Sequence, residues 1–177
     1  MVPSIIFGLK AWHLSQKTQN RFKSLFIQKL KVIPKYSKLI ISIGEIDCRE
    51  DQGIIVKYLK SKGDLTEIIR NTVEGYINFL DQYIKEKEFK PYFLSVPAPS
   101  IKNNAVTNSN NKINKLRVLV VEKFNNILEE TVTNLSWKYI DTYSITKDKN
   151  GISNQKYMAD EFHLHPKIFK LIENKIS

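Results

Sequence analysis

The sequence predicts an α/β fold in which a mostly parallel sheet lies between layers of helices. Short apolar segments of strand length alternate along the chain with longer segments in which apolar residues recur at helical spacing. One short segment, residues 39–43, is almost entirely apolar, which is typical of a parallel strand buried on both faces. No internal repeat or linker divides the 177 residues, so one domain over residues 1–177 is expected.

The alternating pattern places each predicted element. Strands are expected at residues 4–7, 39–43, 92–96 and 137–140, and helices at residues 22–33, 64–84, 113–134 and 166–174. Pro34 ends the first helix, and Asp64 with Glu67 forms a start to the second helix that resembles a capping box. Residues 100–112 are rich in Asn, Ser and Thr, which predicts a loop long enough to cover a site as a flap.

Composition narrows the class of protein. No apolar run reaches the roughly 18 residues that a membrane span needs, so no membrane span is expected. The single cysteine, Cys48, excludes an intrachain disulfide, and residues 1–10 lack the pattern of a signal peptide. A soluble protein of a reducing compartment, the cytoplasm, is therefore expected. The acidic residues lack the spacing of a calcium or magnesium loop, so neither a metal nor a cofactor is predicted.

The formal net charge of +10 invites a nucleic-acid interpretation. The excess is almost wholly lysine, scattered along the chain without a dense basic run. A general bias toward Lys, Asn and Ile explains the charge without a partner. No nucleic-acid partner is therefore predicted, and the sequence leaves the oligomeric state open.

Candidate chemistry clusters where predicted strands end, because sites in parallel sheets form at the carboxyl ends of the strands. Residues 44–51 hold four acidic side chains and Arg49, which can pair bidentately with Glu45 or Asp47. A salt-bridged structural loop and a substrate contact explain this composition equally well. Cys48 is not expected to be a nucleophile, because neighbouring acidic residues raise the pKa of its thiol.

Asp160 and His163 lie three residues apart just before the last predicted helix. This spacing can place the carboxylate against the imidazole Nδ1, which fixes the tautomer and leaves Nε2 as a general base. The alternative is a helix-capping aspartate beside a surface histidine, and the spacing alone does not decide. His165 is expected to be a helix-entry residue and His13 a packed loop residue.

Residues 43–49, I-G-E-I-D-C-R, and residues 158–166, M-A-D-E-F-H-L-H-P, together resemble two blocks of the SGNH (GDSL-type) hydrolase superfamily. The likeness is to a bacterial branch with a G-E-I-D-C-R signature, and it spans about residues 7–169. It implies a flavodoxin-like, five-stranded parallel sheet in a three-layer α/β/α arrangement, and ester hydrolysis through Ser, His and Asp. By this resemblance His163 is the general base and Asp160 its orienting carboxylate.

The resemblance also implies how the transition state and substrate are held. Gly8 falls where the family supplies a backbone oxyanion donor, and Gly44 opens a block that usually reads G-x-N-D. Ile46 stands in place of the asparagine and cannot donate a hydrogen bond, a loss worth about 10²–10³ in rate. The implied oxyanion and substrate-binding residues are Gly8, Gly44, Glu45, Asp47 and Arg49.

The family's first block, G-D-S at the end of the first strand, has no counterpart in this sequence. The sheet is therefore expected to lack its first strand, as in an N-terminally shortened form of a longer protein, unless a different pairing fills the gap. No nucleophilic serine is identified, since Ser4, Ser15, Ser42, Ser95 and Ser100 lie in the wrong contexts.

The expected function is an SGNH-type esterase or deacetylase for O-acyl groups of a saccharide or surface glycan. Without its serine, the chain as written is expected to be weakly active or inactive. The alternative is a non-catalytic α/β protein that binds carbohydrate with the acidic loop and the 100–112 segment.

Overall fold

A computed structural model describes residues 3–100, 108–160 and 163–176, with only the backbone described at 108–111. The strands are β1 (Lys38–Ile41), β2 (Lys90–Leu94) and β3 (Lys138–Ile140). The helices are α1 (Ala11–Ser15), α2 (Arg21–Lys31), α3 (Gly53–Ser61), α4 (Leu65–Lys87), α5 (Asn108–Asn134), α6 (Tyr143–Thr146) and α7 (Ile168–Ile172). Short 3₁₀ turns occupy Ile46–Cys48, Gln155–Tyr157 and Glu173–Lys175.

The three strands form a parallel sheet in the order β1-β2-β3. Ile40 lies opposite Tyr92, and Phe93 lies opposite Tyr139. The predicted α/β class with a parallel sheet is confirmed. The arrangement is also compatible with three α/β/α layers, as the packing of the two sheet faces shows.

Alternating side chains of β2 separate two apolar clusters. Phe93 points into the larger cluster, to which α3, α4 and α5 contribute their apolar faces. Tyr92 and Leu94 point the other way and pack with Ile168 and Ile172 of α7. The sheet therefore carries the long helices on one face and the short C-terminal helix on the other.

The strand predicted at residues 4–7 is wrong. Residues 4–6 have no regular secondary structure, and Phe7 and Gly8 form a turn. The side chain of Phe7 is 88% exposed, and Ile5 is exposed as well. A strand needs a neighbour to satisfy its backbone, and within the described residues β1 pairs only with β2. Apolar composition alone therefore did not make this segment a strand.

The sequence predicted the long helices at nearly the positions that they occupy in the structure. The carboxylate of Asp64 accepts a hydrogen bond from the Glu67 N–H at 2.8 Å, as expected for the start of α4. Helix α5 begins at Asn108, so the loop prediction is wrong for residues 108–112, while residues 101–107 lie outside the described residues. Asn and Ser are poor formers of helix interiors but are well suited to helix starts. None of the described helices is both long and apolar enough to cross a bilayer.

Candidate active site

A small, open pocket lies at the carboxyl ends of β1 and β2. Its walls come from the turn after β1, from the segment after β2, from α5 and from the chain before α7. The lining residues are Glu45, Cys48, Val96, Pro97, Ala98, Pro99, Ser100, Arg117, Val121 and Met158. The structure thus brings together the ends of two strands that the sequence singled out.

The acidic turn after β1 is held by an ion pair on its own residues. Arg49 Nε donates to both carboxylate oxygens of Glu45, at 2.9 and 3.1 Å, and Nη2 donates to Oε2 at 2.6 Å. The hydrogen bonds to Glu45 raise the pKa of Arg49 above its already high ordinary value. Of the two pairings that the sequence allowed for Arg49, the structure realises the one with Glu45, which also lines the pocket.

Asp47 has no accessible surface, so it cannot contact a substrate in this structure, contrary to expectation. Its Oδ2 accepts the Ala11 N–H at 2.7 Å, and its Oδ1 accepts the Trp12 N–H at 3.0 Å. Burial raises the pKa of this carboxyl to about 6, although the two backbone hydrogen bonds oppose the shift. Asp47 therefore fastens the start of α1, just after Gly8, to the turn that follows Gly44.

The two candidate oxyanion glycines have different surroundings. Gly44 is buried with φ of +124°, and a Cβ there would lie 2.6 Å from the ring of Phe124 and 2.9 Å from Val96. Only glycine lets the end of β1 approach α5 this closely. Gly8 has φ of +73° on an exposed turn. Their roles as oxyanion donors stay predictions.

Asp160 and His163 form the contact that their spacing predicts. Asp160 Oδ2 lies 2.7 Å from His163 Nδ1, and Oδ1 accepts the backbone N–H of His163 at 2.8 Å. The pair lies on a turn closed by the Ala159 N–H donating to the His163 carbonyl and by a bridge between Met158 and Leu164. Residues 161–162 of this motif lie outside the described residues.

This turn joins the pocket through Met158, which is one of the lining residues. The side chains of His163 and Asp160 are both exposed, at 74% and 55%. No serine hydroxyl in the described part of the chain donates to His163. Within the described residues the structure therefore supplies an imidazole that Asp160 orients on the turn after the pocket residue Met158, with neither a serine hydroxyl nor the N–H of Gly8 or Gly44 hydrogen-bonded to it.

The segment after β2 is anchored to three elements. Asn125 of α5 bonds both backbone groups of Val96, accepting from the N–H at 2.8 Å and donating to the carbonyl at 2.9 Å. The Ala98 N–H donates to Thr146 Oγ1, and the Ser153 N–H donates to the Pro99 carbonyl. These bonds fix one pocket wall against α5, against α6 and against the chain that leads to Asp160.

Arg117 is the pocket residue that sequence reasoning missed. Its side chain is only 6% exposed, and its Nη1 lies 2.8 Å from both the Ser100 carbonyl and Glu50 Oε2. One signal could have found it. Arg117 occurs three and four residues before Val120 and Val121 of α5, so a charged residue lies on the apolar face of a long helix.

The remaining candidate side chains have structural contacts. His13 stacks on Phe22, and its Nδ1 accepts the Lys10 N–H, so its side chain is packed as expected, but it lies in α1 and not in a loop. The buried Ser95 hydroxyl accepts N–H groups from Thr142 and Tyr143 at the start of α6, where it cannot act as a nucleophile.

Two further groups complete the chemistry of the site. Burial and the charges of Asp47 and Glu45 raise the pKa of the Cys48 thiol, as expected. His165 Nδ1 accepts the Lys167 N–H just before α7, which fits a helix-entry residue. Within residues 3–100, 108–160 and 163–176, no group of His, Cys, Asp or Glu could hold a metal ion.

Comparison with known proteins adds evidence about the fold alone. No family model matches the chain, and no curated protein is significantly similar to it. A solved protein from Streptococcus pneumonia, provisionally described as a platelet activating factor, aligns with 88% of this chain and 68% of its own, at 16% identity and a TM-score of 0.51. A Bacteroides fragilis protein, provisionally described as an acylhydrolase, aligns with 88% of this chain and 95% of its own, at 14% identity and a TM-score of 0.45, which carries no argument.

Proposed function

We propose that this chain is an ester hydrolase of the SGNH type that acts on O-acyl groups of a saccharide or surface glycan. The observation that carries the proposal is the two-point contact of Asp160 with His163 on a turn that borders the pocket. The fold similarity to the Streptococcus protein supports an α/β scaffold of this kind. The ester and the glycan follow from the family resemblance.

Asp160 has the geometry of an orienting group. With Oδ1 fixed by the backbone N–H, Oδ2 is directed at Nδ1, which favours the tautomer that carries its proton on Nδ1. Nε2 then has its lone pair free to accept a proton. The carboxylate also stabilises the imidazolium that forms once the proton has moved.

The proposed nucleophile is water, because no serine hydroxyl among the described residues is hydrogen-bonded to His163. His163 Nε2 takes a proton from a water molecule as the oxygen adds to the ester carbonyl, forming a tetrahedral intermediate. The intermediate collapses with cleavage of the bond to the alcohol oxygen, which receives the proton from the imidazolium. A positioned general base contributes about 10²–10⁴ in rate, so the expected turnover is slow.

Hydrolysis of p-nitrophenyl acetate by the purified protein tests the proposal. We expect slow turnover that falls to the buffer rate in His163→Ala and decreases by at least about tenfold in Asp160→Asn. His165→Ala is the matched control, because His165 is an exposed imidazole two residues away. Equal rates for wild type and His163→Ala would contradict the proposal, and equal losses in both histidine variants would indicate nonspecific acyl transfer.

A non-catalytic carbohydrate-binding protein is the second candidate. One observation favours it: no serine hydroxyl among the described residues is hydrogen-bonded to His163. Saturation-transfer NMR with acetylated and deacetylated oligosaccharides distinguishes the two candidates. Binding without any release of acetate supports the second, whereas release of acetate that depends on His163 supports the first.

A further inference from the structure

We propose that the outer edge of β1, the edge that faces away from β2, pairs antiparallel with the same edge of a second copy of this chain. The two sheets then form one continuous sheet. This dimer goes beyond the proposed function and holds whether or not the chain cleaves an ester. It rests on the direction of the β1 backbone groups, on their lack of partners, and on a sequence that pairs with itself without opposing like charges.

The hydrogen bonds of the sheet show which backbone groups of β1 point outward. The Lys90 N–H donates to the Ser37 carbonyl at 3.0 Å, and Lys90 lies opposite Lys38 in the parallel register. In a parallel ladder, a residue with this bond pairs with the two residues that flank its opposite number. β2 therefore bonds to the odd-numbered residues of β1, whereas the N–H and C=O groups of Lys38 and Ile40 point away from β2.

No described residue bonds to this outer edge. Among the hydrogen bonds of the described residues, none reaches the outward backbone groups of Lys38 or Ile40, or the backbone of Ser42, which directly follows β1. Ile40 is only partly buried, whereas Tyr92, its partner in the register, is 6% exposed. Lys38 and Ser42 are exposed. Because unpaired backbone groups on a strand edge are a template for another strand, this edge can extend the sheet.

The edge lacks the usual obstacles to strand pairing. Proteins protect free edges with proline, with bulges or with charged side chains. The segment at residues 38–42, K-L-I-I-S, has no proline, and its one charged residue is Lys38. The ammonium of Lys38 donates to the Ile176 carbonyl of its own chain at 2.9 Å, so it is turned away from a neighbouring strand. β3, at the other side of the sheet, is only three residues long and offers a shorter ladder.

The segment is complementary to itself in one antiparallel register. This register places Ile40 opposite Ile40 of the second copy, and Lys38 opposite Ser42 of the second copy. The two copies of Ile40 then exchange their outward N–H···O=C bonds. Leu39 lies opposite Ile41, and directly opposed residues point to the same face, so the apolar clusters on both faces continue across the junction. Since no lysine faces a lysine, a second copy fits this edge electrostatically.

Substitution of Ser42 tests the register. We expect sedimentation equilibrium of the wild type to give a dimer with a Kd of about 10 µM–1 mM, as fits a small interface. Ser42→Lys places a lysine opposite Lys38 at both ends of the junction and should raise this Kd at least about tenfold, whereas Ser42→Glu should lower it about three- to tenfold. Ser144→Lys, at an exposed serine of α6, is the matched control and should leave the Kd unchanged.

Amide hydrogen exchange locates the contact within the dimer. The Ile40 N–H faces the outer edge, so we expect its exchange to become slower as the protein concentration rises through the Kd. The Leu39 and Ile41 N–H groups face β2 and should be protected at every concentration.

Each outcome decides the proposal. A protein that stays monomeric up to about 1 mM would overturn it. A dimer whose Kd is the same in both Ser42 variants would use another surface, and would overturn it as well. An Ile40 N–H that is protected equally at every concentration would show that another part of the same chain covers the edge. No ester is present in these measurements, so the dimer and the proposed hydrolysis succeed or fail independently.

Discussion

Asp47 makes the stability of the protein depend on pH in a direction opposite to that of a usual paired carboxylate. Burial raises its pKa from 3.8 to about 6 in the folded state. Between these values the folded chain holds a proton that the unfolded chain has released. The contribution to the free energy of unfolding is therefore greatest below about pH 4 and is lost as the pH rises through 6.

The magnitude follows from the size of the shift. About two pKa units, at about 1.4 kcal/mol per unit, correspond to about 3 kcal/mol between pH 4 and pH 7. The decrease is steepest near pH 5, at about 1.4 kcal/mol per pH unit. Other carboxylates titrate over the same range, so the wild-type curve alone does not isolate Asp47.

The variant Asp47→Asn isolates the contribution of Asp47 to the pH dependence of stability. An asparagine does not titrate, and its single acceptor oxygen serves only one of the two N–H groups of Ala11 and Trp12. The lost hydrogen bond lowers the free energy of unfolding by about 1–3 kcal/mol at any pH. The stability of Asp47→Asn at a single pH is therefore not the test. The test is the difference between the two proteins as a function of pH.

Urea unfolding at half-unit steps from pH 4 to 7.5, followed by tryptophan fluorescence, measures this difference. Subtracting the two curves cancels the carboxylates that both proteins share. We expect the wild type to lose about 3 kcal/mol relative to Asp47→Asn as the pH rises. Parallel curves would refute the reasoning, because Asp47 would then have the same pKa in the folded and unfolded chain.

Three further predictions follow from packing. Gly44→Ala should lower the free energy of unfolding by about 2–4 kcal/mol in urea titrations, because a Cβ meets the Phe124 ring in a positive-φ conformation; unchanged stability would contradict this. Gly75→Ala should destabilise by about 1–2 kcal/mol despite better helix propensity, because the added Cβ would lie 2.6 Å from Ser15 Cβ. Gly63→Ala should change stability by less than about 0.5 kcal/mol, because the added Cβ would meet only the flexible Ser61 hydroxyl at 3.3 Å and Ile68 Cδ1 at 3.9 Å. Iodoacetamide should label Cys48 only as fast as the protein opens, and rapid labelling under native conditions would show that the buried, high-pKa thiol is misplaced.

Contacts close in sequence were the ones that the sequence could predict. The cap of α4 by Asp64 and the pairing of Asp160 with His163 each join residues three apart. Their geometry depends only on local backbone conformation, which residue type and spacing constrain directly. The same holds for the ion pair between Glu45 and Arg49, although the sequence also allowed Asp47 as the partner.

Contacts between distant residues were not predictable in this way. Asp47 bonds to residues 35 and 36 positions earlier, so its burial becomes visible only when α1 packs against the turn after β1. Arg117 of α5 pairs with Glu50, which follows the turn after β1, and this contact was not predictable for the same reason. Residues 4–7 show the converse, because their apolar composition suits a strand but no described strand pairs with them. Pairing is a property of the whole fold.

The tautomer of His163 tests most directly whether Asp160 orients a general base. Long-range ¹H–¹⁵N NMR of the neutral imidazole reports which ring nitrogen carries the proton. We expect the proton on Nδ1 in the wild type, with Nε2 free, and a shift toward the Nε2-protonated form in Asp160→Ala. The account would be contradicted by a wild-type ring protonated on Nε2, or by a tautomer that is the same in the wild type and in Asp160→Ala.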